Sequence, residues 1–192
     1  MDDYQAHETA IIDKGAIIGK NTKIWHWTHI CKEASIGENC SFGQNVYVGN
    51  KVKIGNNVRI QNNVSVYDGV EIEDNVFCGP SMVFTNVYNP RALIPRKKEL
   101  KKTLVQEGAT IGANATIICG TKIGKFSFIA AGALVNKNIG DYELIIGVPG
   151  QMVGWMSEYG EQIHFKNHVD ARAFCKKSNS EYHIKNNKVS KI

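Results

Sequence analysis

The stretch Thr28-His29-Ile30-Cys31-Lys32-Glu33-Ala34-Ser35-Ile36-Gly37-Glu38-Asn39-Cys40-Ser41-Phe42-Gly43-Gln44-Asn45-Val46-Tyr47-Val48-Gly49 repeats its pattern every six residues. A large apolar residue falls at Ile30, Ile36, Phe42 and Val48, and two residues before each stands a smaller or branched one: Thr28, Ala34, Cys40 and Val46. Stepping outward by six, the apolar register runs back through Ile24 and Ile18 to Ile12 and forward without a miss to Phe84. It breaks there, resumes at Val105 and continues through Ile111, Ile117, Ile123, Ile129 and Val135. Glycine often follows the apolar residue, as at Gly19, Gly37, Gly43, Gly49, Gly55 and Gly79.

A period of six fits neither the 3.6 of a helix nor the alternation of a hairpin strand. It describes a short strand, a corner and another short strand, each sending one apolar residue inward. The small residues suit corners where the interior narrows, and the glycines permit tight or left-handed backbone there. Three such units close a triangular turn of about 18 residues, and the turns stack as parallel sheets. No turn can bury its core alone, so stability arises between neighbouring turns. The expected fold is all-β, a parallel β-helix over residues 1–151. One excursion, at about 87–102, interrupts it. Residues 152–192 are expected to form a C-terminal helix, from Met152 to His164, and a basic tail. Within that tail, Glu181 to Ile184 and Lys188 to Ile192, around Asn186-Asn187, read as a β-hairpin.

Composition narrows the classes of function. Of 192 residues, 43% are hydrophobic and 21% charged, an ordinary balance for a globular chain. No run approaches the roughly 20 apolar residues of a membrane span, and the start Met1-Asp2-Asp3-Tyr4 is acidic and polar, so a cytoplasmic protein without membrane contact is expected. Five scattered cysteines, Cys31, Cys40, Cys78, Cys119 and Cys175, contain no CxxC pair, and four of them fit the repeat as small wall residues. The net charge of +5 is concentrated in Arg91, Arg96, Lys97, Lys98, Lys101 and Lys102, against the single Glu99. That cluster reads either as a solvated loop or as an anion-steering patch. It carries no interleaved aromatics, which argues against nucleic acid.

A fixed turn length allows neighbours to be named by counting three hexads along the sequence. His26 should stack below Gln44 and Asn62, while Lys32, Asn50, Asp68 and Asn86 should form one ladder. The repeat breaks at Asn86, and the basic excursion begins there. Long loops on rigid scaffolds are where function concentrates, so a site is expected beside Asp68, Thr85 and Asn86.

The wording around the break carries a resemblance. Gln61-Asn62-Asn63-Val64-Ser65-Val66-Tyr67-Asp68 precedes Gly79-Pro80-Ser81-Met82-Val83-Phe84-Thr85-Asn86-Val87-Tyr88-Asn89-Pro90-Arg91, and Ile146-Gly147-Val148-Pro149-Gly150 and Gly154-Trp155-Met156-Ser157 follow. Together with the repeat, these resemble the left-handed β-helix acyltransferases of the hexapeptide-repeat family. Within that family they are most similar to the 3-N-acetyltransferases of nucleotide-linked amino sugars that act on UDP-2-acetamido-3-amino-2,3-dideoxy-glucuronic acid. The resemblance implies a left-handed helix, acetyl-CoA as co-substrate, no metal, a homotrimer with sites between subunits, and a role in O-antigen synthesis.

It also implies that Asn86 positions the acceptor amine while the departing thiolate takes the proton. Asp68 is the one nearby carboxylate able to act as a base, or else simply a turn residue in Asp68-Gly69. Gln61, Asn62, Tyr67 and Thr85 are candidates for contacts to the sugar nucleotide, and Arg91 for its carboxylate or diphosphate. The pantetheine arm would pass the small residues Gly112, Ala130, Ala131 and Gly132, with Lys137 at a phosphate and Val148-Pro149 against the adenine. Those small residues equally satisfy corner packing. His26 and His29 read as wall or substrate-edge residues about three turns from the break. A zinc carbonic anhydrase of the same fold would need three converging histidines, and none occurs between Ile30 and Ile163. A silent scaffold subunit, or transfer to another amino sugar or an amino acid, are the remaining alternatives.

Overall fold

The computed structural model describes residues 3–192, so Met1 and Asp2 of the acidic start lie outside the described residues. Short strands such as Lys23–Ile24, His29–Ile30 and Ser35–Ile36 recur in step with the hexads and stack into a left-handed parallel β-helix. Every third strand joins the same face, giving three parallel sheets. Each residue pairs with the one three hexads further on: Lys23 with Ser41, His29 with Tyr47, and Arg59 with Phe77. The hexad residues from Ile24 to Phe84 and from Val105 to Val135 are buried in one continuous core. Ile12 and Ile18, in the first turn, are only partly covered because, among the described residues, nothing stacks beneath them.

Two details of the corners differ from the expectation. The left-handed corner, three positions before the apolar residue, is taken mostly by asparagine (Asn21, Asn39, Asn45, Asn57, Asn63, Asn75, Asn114), elsewhere by Trp27, Glu33, Lys51, Ser81 and Phe126, and by Gly15, Gly69, Gly108, Gly120 and Gly132. Asparagine tolerates this conformation because its short amide bonds locally. The glycines after the apolar residue answer a different need. At Gly43 an added Cβ would lie only 2.4 Å from Asn62 Oδ1 and 2.7 Å from Asn62 N, so the turns close-pack there and leave no room for a side chain. In the corner that follows, the side-chain oxygens of Asn56, Asn62 and Asp74 accept the backbone N–H of Glu38, Gln44 and Asn56 at 2.9, 2.9 and 2.7 Å. These bonds tie turn to turn.

After Val135 the chain does not become helical. Glu143–Ile146 continues one sheet, then pairs antiparallel with Gln151–Met156, which pairs with Gln162–Ile163. The expected helix over 152–164 is therefore a strand pair. Val153 and Trp155 favour a strand and Gly154 disfavours a helix, and the left-handed Gly160 turns the chain back. The hairpin expected around Asn186-Asn187 is present, extended to three strands by Asp170–Cys175. A second core of Tyr142, Trp155, Ile163, Tyr182 and Ile184 packs this sheet onto the end of the prism. All five cysteines are buried. No helix of the described residues is long and apolar enough to cross a membrane.

Candidate functional site

Across the break the ladders resume without a slip in facing. Val83 pairs with Thr116 and Val70 with Thr103, so the step from one turn to the next is longer here than the usual three hexads. The surplus residues form the excursion. Its ends are closed on each other by Lys101 N–H donating to Asn86 C=O at 3.0 Å. Inside it, a 3-10 turn spans Lys97–Glu99, and Arg96 pairs with Glu99 at 2.8 Å. Leu100 folds down onto Gly69, whose φ is +89° and whose missing side chain leaves the space that the Leu100 methyl groups fill.

The folded loop roofs a cavity of about 460 Å³. Its floor comes from three successive turns: Tyr47 and Asn50, then Tyr67 and Asp68, then Asn86. Arg91, Arg96 and Lys97 bring the positive charge of the roof. The ladder Asn50–Asp68–Asn86 anticipated from the turn spacing is thus brought to one place, together with Tyr67 and Arg91. Asp68 differs from its equivalents elsewhere in the stack. Where Asn56, Asn62 and Asp74 each accept a backbone N–H, no hydrogen bond or ion pair among the described residues engages the Asp68 carboxylate. The Asn86 side-chain amide is likewise unengaged among the described residues, its backbone alone being tied to Lys101. Half-buried groups of this kind are available to a ligand, whereas structural ones have partners.

Other sequence candidates lie elsewhere. Gln61 and Asn62 line a separate groove with Trp25, His26 and Gln44, and Asn62 is spent on the Gln44 N–H. Thr85 Oγ1 accepts the Cys119 N–H at 2.9 Å and so bridges the turns on either side of the excursion. Gly112 is needed for stacking, since a Cβ there would meet Ala131 N at 2.4 Å. Gly132 faces open space, with nothing within 4 Å of an added Cβ. Ala131, Lys137, Val148 and Pro149 are exposed and Ala130 half-buried, leaving this stretch of surface accessible. His26 stacks on His7, with centroids 3.5 Å apart. His29 lies one turn below Tyr47, and the two ring centroids are 5.8 Å apart.

Two residues of the cavity were not singled out by sequence. Tyr47 packs against Tyr67 at 6.1 Å, and its phenol is pushed up to about 12, chiefly by a hydrogen bond with Cys31 and then by burial and the Asp68 charge. It therefore presents a fixed neutral phenol at the cavity floor. The two-residue alternation placing Tyr47 beside Gly49 on the Asp68 side was the available signal. Arg96 holds a buried Nε–H with no partner, an orphan donor in the roof. Sequence offered six basic residues here and no means of choosing among them.

Family comparison agrees with the stack. The bacterial transferase hexapeptide (six repeats) model matches residues 15–50. The hexapeptide repeat of succinyl-transferase matches residues 33–68 and 105–137, on both sides of the excursion. The hexapeptide repeat is thus recognised on both sides of the excursion. A similar curated protein is the dTDP-3-amino-3,6-dideoxy-alpha-D-galactopyranose 3-N-acetyltransferase of Aneurinibacillus thermoaerophilus, 39% identical over 74 residues, covering 38% of this chain and 37% of the relative. Another is the 2,3,4,5-tetrahydropyridine-2,6-dicarboxylate N-acetyltransferase of Staphylococcus aureus, 30% identical over 84 residues, covering 44% of this chain and 32% of that protein. The chain therefore spans about a third of the length of these relatives. Among solved structures, the fold is shared with a hexapeptide-repeat acetyltransferase from Vibrio cholerae crystallised with acetyl-CoA. The TM-score is 0.57 at 23% identity, over 65% of this chain and 72% of that one.

Proposed function

We propose that the protein is an acetyl-CoA-dependent N-acetyltransferase for a nucleotide-linked amino sugar. Its proposed acceptor is the 3-amino group of UDP-2-acetamido-3-amino-2,3-dideoxy-glucuronic acid, within the cytoplasmic synthesis of an O-antigen type polysaccharide. One observation carries the reading: the unengaged Asp68 carboxylate and the unengaged Asn86 amide meet in one cavity beneath a basic loop. The names of the matched relatives, a nucleotide amino-sugar 3-N-acetyltransferase among them, point the same way.

In this reading the Asn86 side-chain carbonyl accepts a hydrogen bond from the acceptor amine and aims its lone pair. The amine nitrogen bonds to the thioester carbonyl carbon, and the carbon–sulfur bond breaks. Asp68 takes the proton the nitrogen loses, and the departing thiolate is protonated in turn. The Arg96 Nε–H, Arg91 and Lys97 meet the carboxylate or diphosphate of the acceptor, where a guanidinium forks onto paired oxygens. Acetyl-CoA would lie along the accessible surface at Ala130, Ala131 and Gly132 towards Lys137 and Val148-Pro149, with Gly112 holding the turns close beneath. A homotrimer would bring that surface of one prism against the cavity of the next.

The test is acetyl-CoA turnover, read as free thiol, against a panel of nucleotide 3-amino and 4-amino sugars plus tetrahydropyridine dicarboxylate. Selective turnover of the UDP-3-amino-glucuronate is expected. Asp68→Ala should then lower kcat by about 10²–10⁴-fold with little change in melting. Asp74→Ala, which loses a bond to the Asn56 N–H, should keep its activity and melt earlier, by about 1–2 kcal/mol. Silence across the panel, or turnover of the dicarboxylate alone, would overturn the proposal.

A further inference from the structure

Below the cavity, on the first two turns of the prism, three donor atoms of different chemistry converge. Asp13 Oδ1 lies 3.2 Å from His29 Nε2, and Cys31 Sγ lies 3.9 Å from the same nitrogen. The donor atoms all fall within 4.8 Å of one another. Asp13 and Cys31 are one full turn apart and so stack directly, while His29 precedes Cys31 by two and shares its face. The backbone holds each in place: Asp13 N–H donates to Ile30 C=O at 2.9 Å, His29 N–H to Val46 C=O at 2.9 Å, and Cys31 N–H to Val48 C=O at 2.8 Å.

Two simpler readings fail on geometry. A nucleophilic triad needs the carboxylate on one ring nitrogen and the thiol on the other, so that the ring can relay a proton. Here both meet Nε2, and a single proton there can serve only one of them. An Asp13–His29 ion pair, with both side chains 39% exposed, is of a kind worth little, and it leaves the convergence of Cys31, 5% exposed, unexplained. A cation set between the donors would give each of them a partner. Zinc bonds of about 2.0–2.3 Å in a tetrahedron set nitrogen and oxygen about 3.3 Å apart and nitrogen and sulfur about 3.6 Å apart, close to the spacings found.

We propose that Asp13, His29 and Cys31 form a binding site for a borderline-soft divalent cation of the zinc class, which staples the first turn of the prism to the second. The need is local. The core residues of the first turn, Ile12 and Ile18, are only partly buried, whereas their equivalents one turn on, Ile30 and Ile36, are buried. A cross-turn metal bond replaces the stacking that a terminal repeat lacks. The ion takes no part in acetyl transfer, and its site does not depend on the proposed acceptor. Loading releases the thiol proton, so affinity falls as pH drops.

The experiment adds Co²⁺ or Zn²⁺ to the metal-stripped full chain. One Co²⁺ per chain with a thiolate-to-metal charge-transfer absorption is expected, present in Cys175→Ser and absent in Cys31→Ser. His29→Gln, at a half-exposed position that leaves the core intact, should weaken Zn²⁺ binding at least tenfold. Zn²⁺ should raise the melting temperature of the parent protein and not that of His29→Gln. Absence of binding to the folded chain overturns the proposal. So does binding that survives unchanged in both variants, which would place the ion at other histidines or carboxylates.

Discussion

Replacing Gly69 by alanine separates two costs that coincide at the cavity rim. Gly69 sits at φ +89°, and a Cβ there would overlap Leu100, the loop residue folded onto it. Gly132 sits at φ +72° with nothing within 4 Å of an added Cβ, so Gly132→Ala reports the backbone cost alone, about 1–2 kcal/mol. Gly69→Ala should add to that the displacement of Leu100, about 1–2 kcal/mol for a flexible side chain. The total is about 2–4 kcal/mol. In the double variant Gly69→Ala with Leu100→Ala the second cost should vanish, leaving a coupling of about 1–2 kcal/mol between the two positions. Denaturant melting gives the energies. Limited trypsin digestion reports the loop, whose exposed Arg91, Lys97 and Lys98 should be cut faster in Gly69→Ala. Equal destabilisation by Gly69→Ala and Gly132→Ala, or strict additivity with Leu100→Ala, would refute the claim that Leu100 anchors the loop through Gly69.

Thr85→Val removes the acceptor of the Cys119 N–H and should cost about 1–3 kcal/mol in melting, with Thr85→Ser recovering most of it. Phe42→Ala, emptying a wholly buried position of the core, should cost about 3–5 kcal/mol by the same measurement. In an ultraviolet titration of the folded protein, Tyr47→Phe should delete one late-titrating tyrosine. Because the folded value is raised above the ordinary one, the associated stability is complete below pH 10 and is lost as pH rises towards about 12. The parent should therefore lose more stability across that window than Tyr47→Phe does.

The prism was readable because each interior position tolerates only an apolar residue, and an unbroken register from Ile12 to Phe84 leaves no other period. The residues that bend the chain were harder to see. Asn39, Asn45, Asn57 and Asn63 bear the left-handed backbone, while attention falls first on the glycines just after the apolar residues, which serve close stacking. Spacing alone also placed Asp68 beneath Asn86, because stacking is a matter of counting. It also put Asn62 above Gln44 and His26, where it lies, whereas the suggestion of a sugar contact for Gln61 and Asn62 came from the surrounding wording, and both stand in a groove apart from the Asp68 cavity. Spacing failed beyond Val135, where the repeat ends and a sheet edge at Gln151–Met156 stands where a helix was expected. The choice of Arg96 among its basic neighbours depends on how the loop folds, which no periodicity encodes. Counting does set His29 beside Tyr47, but it does not show that Tyr47 belongs to the cavity floor.

The excursion leaves the prism and rejoins it with every strand still facing as before. Its length is invisible to the turns above and below, which would pair identically if it were shorter, longer or absent. Such an insertion behaves as an interchangeable cassette. Its sequence can drift, lengthen or be replaced wholesale while the scaffold keeps its core. A lineage could thus retune what the cavity accepts by editing one surface segment, and a laboratory could do the same by grafting, with refolding of the stack the least of its difficulties.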